Sequence, residues 1–319
     1  TIRRDPGEAL RDYTITVTGE AVQGNYNVTY VPGIFKIFGM PQDLTITSAS
    51  ETIPYDGTLH TKPVYTVTFN GNLLTATNSE GTKFVMPITG DTLTITPTFT
   101  GVTNVTDANN VDNNNTFTYV LENAAIYIGT RTLTYGTVKV TPITAEVTIK
   151  GDTNTTAYDG DEHTVTGYDV EISNPLYTEA CFTFTQAEGA TLVGGVIAAT
   201  RTDAGTTNMG LDSTQFTNNN ANFNVTFNVE DGYQIIERAS LTVTADNKQK
   251  NYGMPDPTLT ATITGLKGSD TESVINYTIS RAPGEDLGDY EITVTGDTVQ
   301  GNYNVTYVPG IFKIFGMPQ

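Results

Sequence analysis

The sequence predicts a mainly β protein: a tandem array of three modules forming an extended rod, plus a half-module at the N-terminus. Three observations carry this expectation. Thr supplies 60 of the 319 residues, and Val, Ile, Tyr and Phe are abundant. Such β-branched and aromatic side chains suit a pleated surface and lose freedom in a helix. Next, Thr278 to Gln319 repeat Thr1 to Gln42 without a gap, differing at seven positions such as Arg3/Ser280 and Glu20/Asp297. Near-identity at a fixed period marks a tandem array, here one full repeat preceded by the tail of another and cut from a longer protein. Finally, opening and closing motifs recur along the chain at single-domain spacing.

Two openings match: Tyr55-Asp56-Gly57-Thr58-Leu59-His60-Thr61 and Tyr158-Asp159-Gly160-Asp161-Glu162-His163-Thr164. Each sets an Asp-Gly turn before a Thr-rich strand. The third opening is Tyr252-Gly253-Met254-Pro255-Asp256-Pro257. The closings Asn222-Phe223-Asn224-Val225-Thr226-Phe227 and Asn302-Tyr303-Asn304-Val305-Thr306-Tyr307 alternate apolar and polar residues, the period of a half-buried strand. The division that follows is 1–42, the C-terminal half of a preceding module; 43–142 and 143–237, two modules with Tyr-Asp-Gly openings; and 238–319. Strands are expected at 43–47, 65–69, 92–99, 116–121, 145–150, 181–185, 240–245 and 291–295. A short helix is expected over 269–275, capped by Ser269 or Asp270 with Glu272 in its first turn. The Asn-rich stretch 107–115 reads as a long solvated loop.

Composition excludes several function classes. The net charge is −19, from 35 acids against 16 bases, which repels phosphate backbones and anionic lipid, so nucleic acid is not an expected partner. No run approaches 18 apolar residues, so no direct membrane insertion is expected. The lone Cys181 cannot form an intramolecular disulfide, and its neighbours Phe182 and Phe184 suggest a small buried hydrophobe. An exported β-array without disulfides fits a Gram-positive cell surface.

Candidate sites are few. His60 and His163 hold equivalent positions in different modules, so they cannot share a metal or a catalytic dyad, and each reads as a side chain packed beside its turn. Asp107, Asn109, Asp112 and Asn113 offer oxygen ligands in one loop; a weak Ca²⁺ site competes there with a plain solvated loop, because the EF-hand Gly and terminal Glu are missing. No other cofactor is expected. Lys139, Lys150 and Lys313 lie in or beside strands, where a Lys–Asn isopeptide crosslink competes with an ordinary solvated Lys. Alternating aromatics such as Tyr303 and Tyr307 read as core rather than as carbohydrate platforms. No constellation for general acid–base or nucleophilic work is visible, and no enzyme is expected.

The segment from Tyr252-Gly253-Met254-Pro255-Asp256-Pro257 through Gly265-Leu266-Lys267-Gly268-Ser269-Asp270-Thr271 and Ser280-Arg281-Ala282-Pro283-Gly284-Glu285 to Gly288-Asp289-Tyr290-Glu291-Ile292-Thr293 resembles the MBG domain of the YGX type. The Tyr-Asp-Gly modules resemble companion tandem repeats of Gram-positive bacterial cell-surface proteins; the second also carries Asp203-Ala204-Gly205, whose counterpart in the first would lie near 107–110 without its Gly. The resemblance implies Ig-like or β-grasp-like modules in a structural or stalk segment of a repetitive adhesin, extracellular and attached to the cell wall, with no catalytic residues. A module binding host glycan or host protein, or a self-assembling filament subunit, are the alternatives. Residues 1–42 are half a fold, so other copies of the array are expected to complete them through strand edges at Tyr13, Ile15 and Val17.

Overall fold

The computed structural model describes residues 1–39 and 41–317. It is built of strands with a few 3-10 turns, and it divides into two compact units, residues 1–143 with 221–224, and residues 144–220 with 225–319.

Unit 1 begins with an antiparallel sheet of Ile2–Arg4, Asp12–Val17 and Gly33–Lys36, beside a small hairpin of Val22–Gln23 and Tyr26–Asn27. The expected outward role of Tyr13 is corrected. It is only 2 % exposed, because the Arg4 and Arg11 guanidiniums lie over its ring. Ile15 and Val17 are half-buried.

The following module pairs its first strands in parallel with its last. Leu44–Ser48 pairs with Arg131–Thr134, and Glu51–Pro54 with Val138–Thr141. Tyr65–Phe69 adds antiparallel to the first of these pairs, and Lys83–Val85, Thr92–Pro97 and Phe117–Leu121 form a second sheet. The alternation in Leu-Thr-Ile-Thr-Ser sends Leu44 and Ile46 inward, where they meet Val67, Phe84, Leu93 and Phe117 in one core.

The stretch 107–115 is a loop, as expected, but only partly solvated: residues 108, 109 and 111–113 are exposed, whereas Asn114 and Asn115 are buried. The Asn114 carboxamide oxygen accepts from the Val138 backbone N–H at 2.7 Å and its nitrogen donates to the Val138 carbonyl at 2.6 Å. Asn110 does the same with Val140, at 2.9 and 3.0 Å. A side-chain amide carries the donor and acceptor of a peptide group, so two Asn residues satisfy a strand edge without being a strand.

Unit 2 holds two modules of the same plan. In the first, Thr153–Ala157 pairs in parallel with Tyr233–Glu237. In the second, Ala239–Ala245 pairs in parallel with Tyr303–Val308, and Lys248–Asn251 with Gly310–Phe315. The last module is two four-stranded sheets; Leu241 and Val243 from one meet Ile292, Val294 and Phe312 from the other in a common core. The helix expected over 269–275 shortens to a 3-10 turn at Glu272–Val274, with Thr271 at its N-cap and no side-chain cap bond. Asp270 instead receives tyrosine hydroxyls. Cys181 ends another such turn and is half-buried rather than buried; its sulfur lies 3.5 Å from the Asn220 carboxamide nitrogen.

Candidate functional site at the joint within unit 2

The opening and closing motifs meet where the two modules of unit 2 join. Tyr158 follows the Thr153–Ala157 strand and Tyr303 starts the Tyr303–Val308 strand. Their rings pack edge to face, with centroids 5.6 Å apart. Both hydroxyls donate to the same Asp270 carboxylate oxygen, at 3.0 Å from Tyr158 and 2.6 Å from Tyr303. The Lys267 backbone N–H donates to the Tyr303 hydroxyl at 2.8 Å. Burial, aided by the Asp270 carboxylate, pushes the Tyr303 hydroxyl up to about 12, and the same causes raise Tyr158.

Asn302, one residue before Tyr303, closes the other side. Its carboxamide nitrogen donates to Asp203 at 2.9 Å, and its oxygen accepts from the Ala204 backbone N–H at 2.8 Å. The Asp203-Ala204-Gly205 turn is held ready by Arg201, whose guanidinium donates to the Ala204 carbonyl at 2.9 Å and the Thr206 carbonyl at 3.2 Å. Gly205 has φ of 138°, and a Cβ there would run into that guanidinium. Between the two grips the backbones touch: a Cβ on Gly160 would lie 2.8 Å from the Gly268 Cα.

Unit 1 contains the same arrangement. Tyr55 meets Phe223 edge to face at 5.5 Å. The Asn222 carboxamide nitrogen donates to Asn104 Oδ1 at 2.9 Å, and its oxygen accepts from the Val105 backbone N–H at 2.7 Å. The counterpart of Asp203-Ala204 is therefore Asn104-Val105, not the 107–110 stretch. Asp107 does here what Arg201 does in unit 2: its carboxylate accepts from the Thr103 and Asn104 backbone N–H groups, at 2.7 and 2.8 Å.

The candidate Ca²⁺ ligands thus serve separate partners. Asp107 braces the turn, Asp112 pairs with Lys139 at 2.7 Å, Asn109 donates to Thr100, and the backbone of Asn113 takes a left-handed φ of 57°. Among the described residues no three of His, Cys, Asp and Glu gather as a metal-holding group. His60 lies 2.8 Å from Asp56 and His163 lies 3.0 Å from Asp159, tying each strand back to its Asp-Gly turn. The Thr58 backbone and hydroxyl, with His60, hold the Asp56 carboxyl down at about 2. Lys313 pairs with Asp289 at 3.5 Å, so both it and Lys139 face carboxylates; Lys150 is exposed. Tyr303 and Val305 are core, and Tyr307 is half-buried.

Sequence reasoning missed one cluster, although the motif residues of the last module spell it out. Lys250, with its side chain only 5 % exposed, reaches Asp256 at 2.6 Å and Glu285 at 2.5 Å. Arg281 reaches the same two carboxylates at 2.6 Å each and lies 4.7 Å from the Phe312 ring centroid. Arg281 first, then Lys250, holds the Asp256 carboxyl at about 2. Nothing in the all-polar run Lys248-Gln249-Lys250-Asn251 marks Lys250 as the inward position, and its partners Asp256 and Glu285 both lie in loops.

Residues 241–313 match the family model of the MBG domain (YGX type). No curated protein matches the chain. Among solved structures, the crystal structure of the N-terminal four Ig domains of Dscam1 isoform 4.44 aligns over 96 % of this chain and 82 % of its own, at 10 % identity and a TM-score of 0.21. The N-terminal eight Ig domains of the Down Syndrome Cell Adhesion Molecule align over 97 % of this chain and 46 % of their own, at 9 % identity and a TM-score of 0.20. No helix among the described residues is long and apolar enough to cross a membrane.

Proposed function

We propose that the chain is a non-enzymatic stalk segment of a repetitive bacterial surface adhesin, exported and attached to a Gram-positive cell wall. In this reading the MBG-type module and the two Tyr-Asp-Gly modules, taken as its companion repeats, set the distance and stiffness between an anchor and whatever lies beyond. The observation that carries the reading is the joint in unit 2. Asn302 grips Asp203 and Ala204, Tyr158 packs on Tyr303, and Gly160 touches Gly268. Three contacts of different kinds cross one junction and oppose its bending, as suits a spacer more than a flexible linker. A glycan array tests the reading against a lectin-like module: a stalk returns no coherent family of sugars, whereas a related series of hits contradicts it.

A further inference from the structure

In the last module the first and last segments run side by side in the same direction. Ala239–Ala245 lies parallel to Tyr303–Val308, with Ala239 opposite Tyr303. Lys248–Asn251 lies parallel to Gly310–Phe315, with Lys248 opposite Phe312. Partners are 64 residues apart in both pairs, so one register carries through as the two segments cross together from one sheet to the other. At the crossing the Asn247 carboxamide oxygen accepts from the Ile311 N–H at 2.7 Å, standing in for the interrupted ladder. The first Tyr-Asp-Gly module repeats the plan: Leu44 faces Arg131 and Glu51 faces Val138, 87 residues apart each time. In the second, Thr153–Ala157 runs parallel to Tyr233–Glu237. Each seam also holds a polar fastening. Lys250 reaches Asp256 and Glu285, Asn154 donates to the fully buried Gln234 at 3.0 Å, and the Gly136 N–H donates to the Ser48 hydroxyl at 2.8 Å.

We propose that these parallel seams are mechanical clamps, and that the modules bear tension applied along the chain. A pull enters a module at the start of its first segment and leaves at the end of its last. Because the two run parallel, the pull slides one along the other, and the ladder bonds are loaded together instead of being peeled one after another. A slip of one residue offers no resting place, since it would turn Leu241, Val243, Tyr303 and Val305 out of the core. The fastenings at Lys250, Gln234 and Ser48 must give way in the same movement. Little slack lies between clamps: in unit 2 only Arg238 separates Tyr233–Glu237 from Ala239–Ala245. The clamp is a property of each module, and its service in a stalk rests on the spacer reading. The joint opposes bending, whereas the seams oppose stretching.

Single-molecule force spectroscopy on the full chain tests the proposal by changing the direction of pull. Held by its two ends, the chain should lengthen in sharp steps. The step of the last module is recognised by the release of the 77 residues from Ala239 to Phe315, at ~3.3–3.6 Å each. A second chain carries Cys181→Ser, with handles on Ser240→Cys and Thr306→Cys. Both positions are exposed and lie towards the same end of the seam. The pull then crosses the ladder and loads the last module alone, which should open at a severalfold lower force. Equal forces in the two geometries, or a gradual extension without steps when the chain is held by its ends, overturns the proposal. Either result leaves the spacer reading standing, because the glycan array tests that reading without any load.

Discussion

Tyr158 and Tyr303 meet edge to face with their centroids 5.6 Å apart, and both hydroxyls end on one oxygen of Asp270. One ring belongs to an opening motif and the other to the closing motif of the next module, so the pair bridges the two modules. Tyr158 is counted in the same apolar cluster as Leu241, Ile292 and Phe312.

Tyr158→Ala should cost about 2–4 kcal/mol, by loss of a buried aromatic and its edge contact. Asn302→Ala should cost about 1–2 kcal/mol, leaving the Ala204 N–H unpaired. Urea unfolding checks both, and either variant should split one transition of unit 2 into two. A variant that shifts the midpoint and keeps one sharp transition would show that the joint does not couple the modules.

Gly160→Ala should hurt more than Gly57→Ala. Both glycines hold positive φ, 94° and 79°, so each substitution carries backbone strain of about 1–2 kcal/mol. Only at Gly160 does the added methyl meet backbone, 2.8 Å from the Gly268 Cα, whereas at Gly57 the nearest atom is the Tyr55 hydroxyl at 3.9 Å. Overpacking adds about 1–3 kcal/mol at the first site alone. Thermal melts of the two variants give the comparison.

Asn114→Ala should destabilise unit 1 by about 2–3 kcal/mol, because it strands the Val138 backbone groups that its carboxamide satisfies. Ca²⁺ and a chelator should leave the same melting temperature, since Asp107 and Asp112 already serve the turn backbone and Lys139. A rise with Ca²⁺ that Asp107→Asn abolishes would restore the metal reading.

The last module should lose stability at both ends of the pH scale. Asp256 is held at about 2 against an ordinary 3.8. A lowered carboxyl stabilises above its unfolded value, and that contribution disappears as pH falls from about 4 to about 2. Tyr303 is raised to about 12 from 10.0. A raised phenol stabilises below its unfolded value, and that contribution is lost as pH climbs from about 10 to about 12. Asp256→Asn should flatten the acid limb and Tyr303→Phe the alkaline one, both read by circular dichroism melts.

Much of the fold was legible because alternation is a local signal. Leu44, Ile46, Tyr303 and Val305 all went inward as the pattern of two requires. What alternation could not reveal was partnership. Nothing in Leu-Thr-Ile-Thr says that Leu44–Ser48 runs parallel to Arg131–Thr134 rather than forming a hairpin with its neighbour. The Asn-rich stretch misled for a related reason: Asn favours solvated turns, and only the distant Val138–Thr141 edge made Asn110 and Asn114 structural. The joint was visible in pieces, as the Tyr-Asp-Gly opening, the Asn-Tyr closing and the Asp203-Ala204-Gly205 turn. Joining them required knowing which ends of successive modules touch.

Residual dipolar couplings measured on the full chain test the stiffness of that joint most directly. Amides of residues 144–220 and 225–237 and amides of residues 238–317 should fit a single alignment tensor, and Asn302→Ala with Tyr158→Ala should separate them into two. Two tensors of different magnitude in the unmodified protein would mean that the modules swivel freely, and the locked-spacer account would fail.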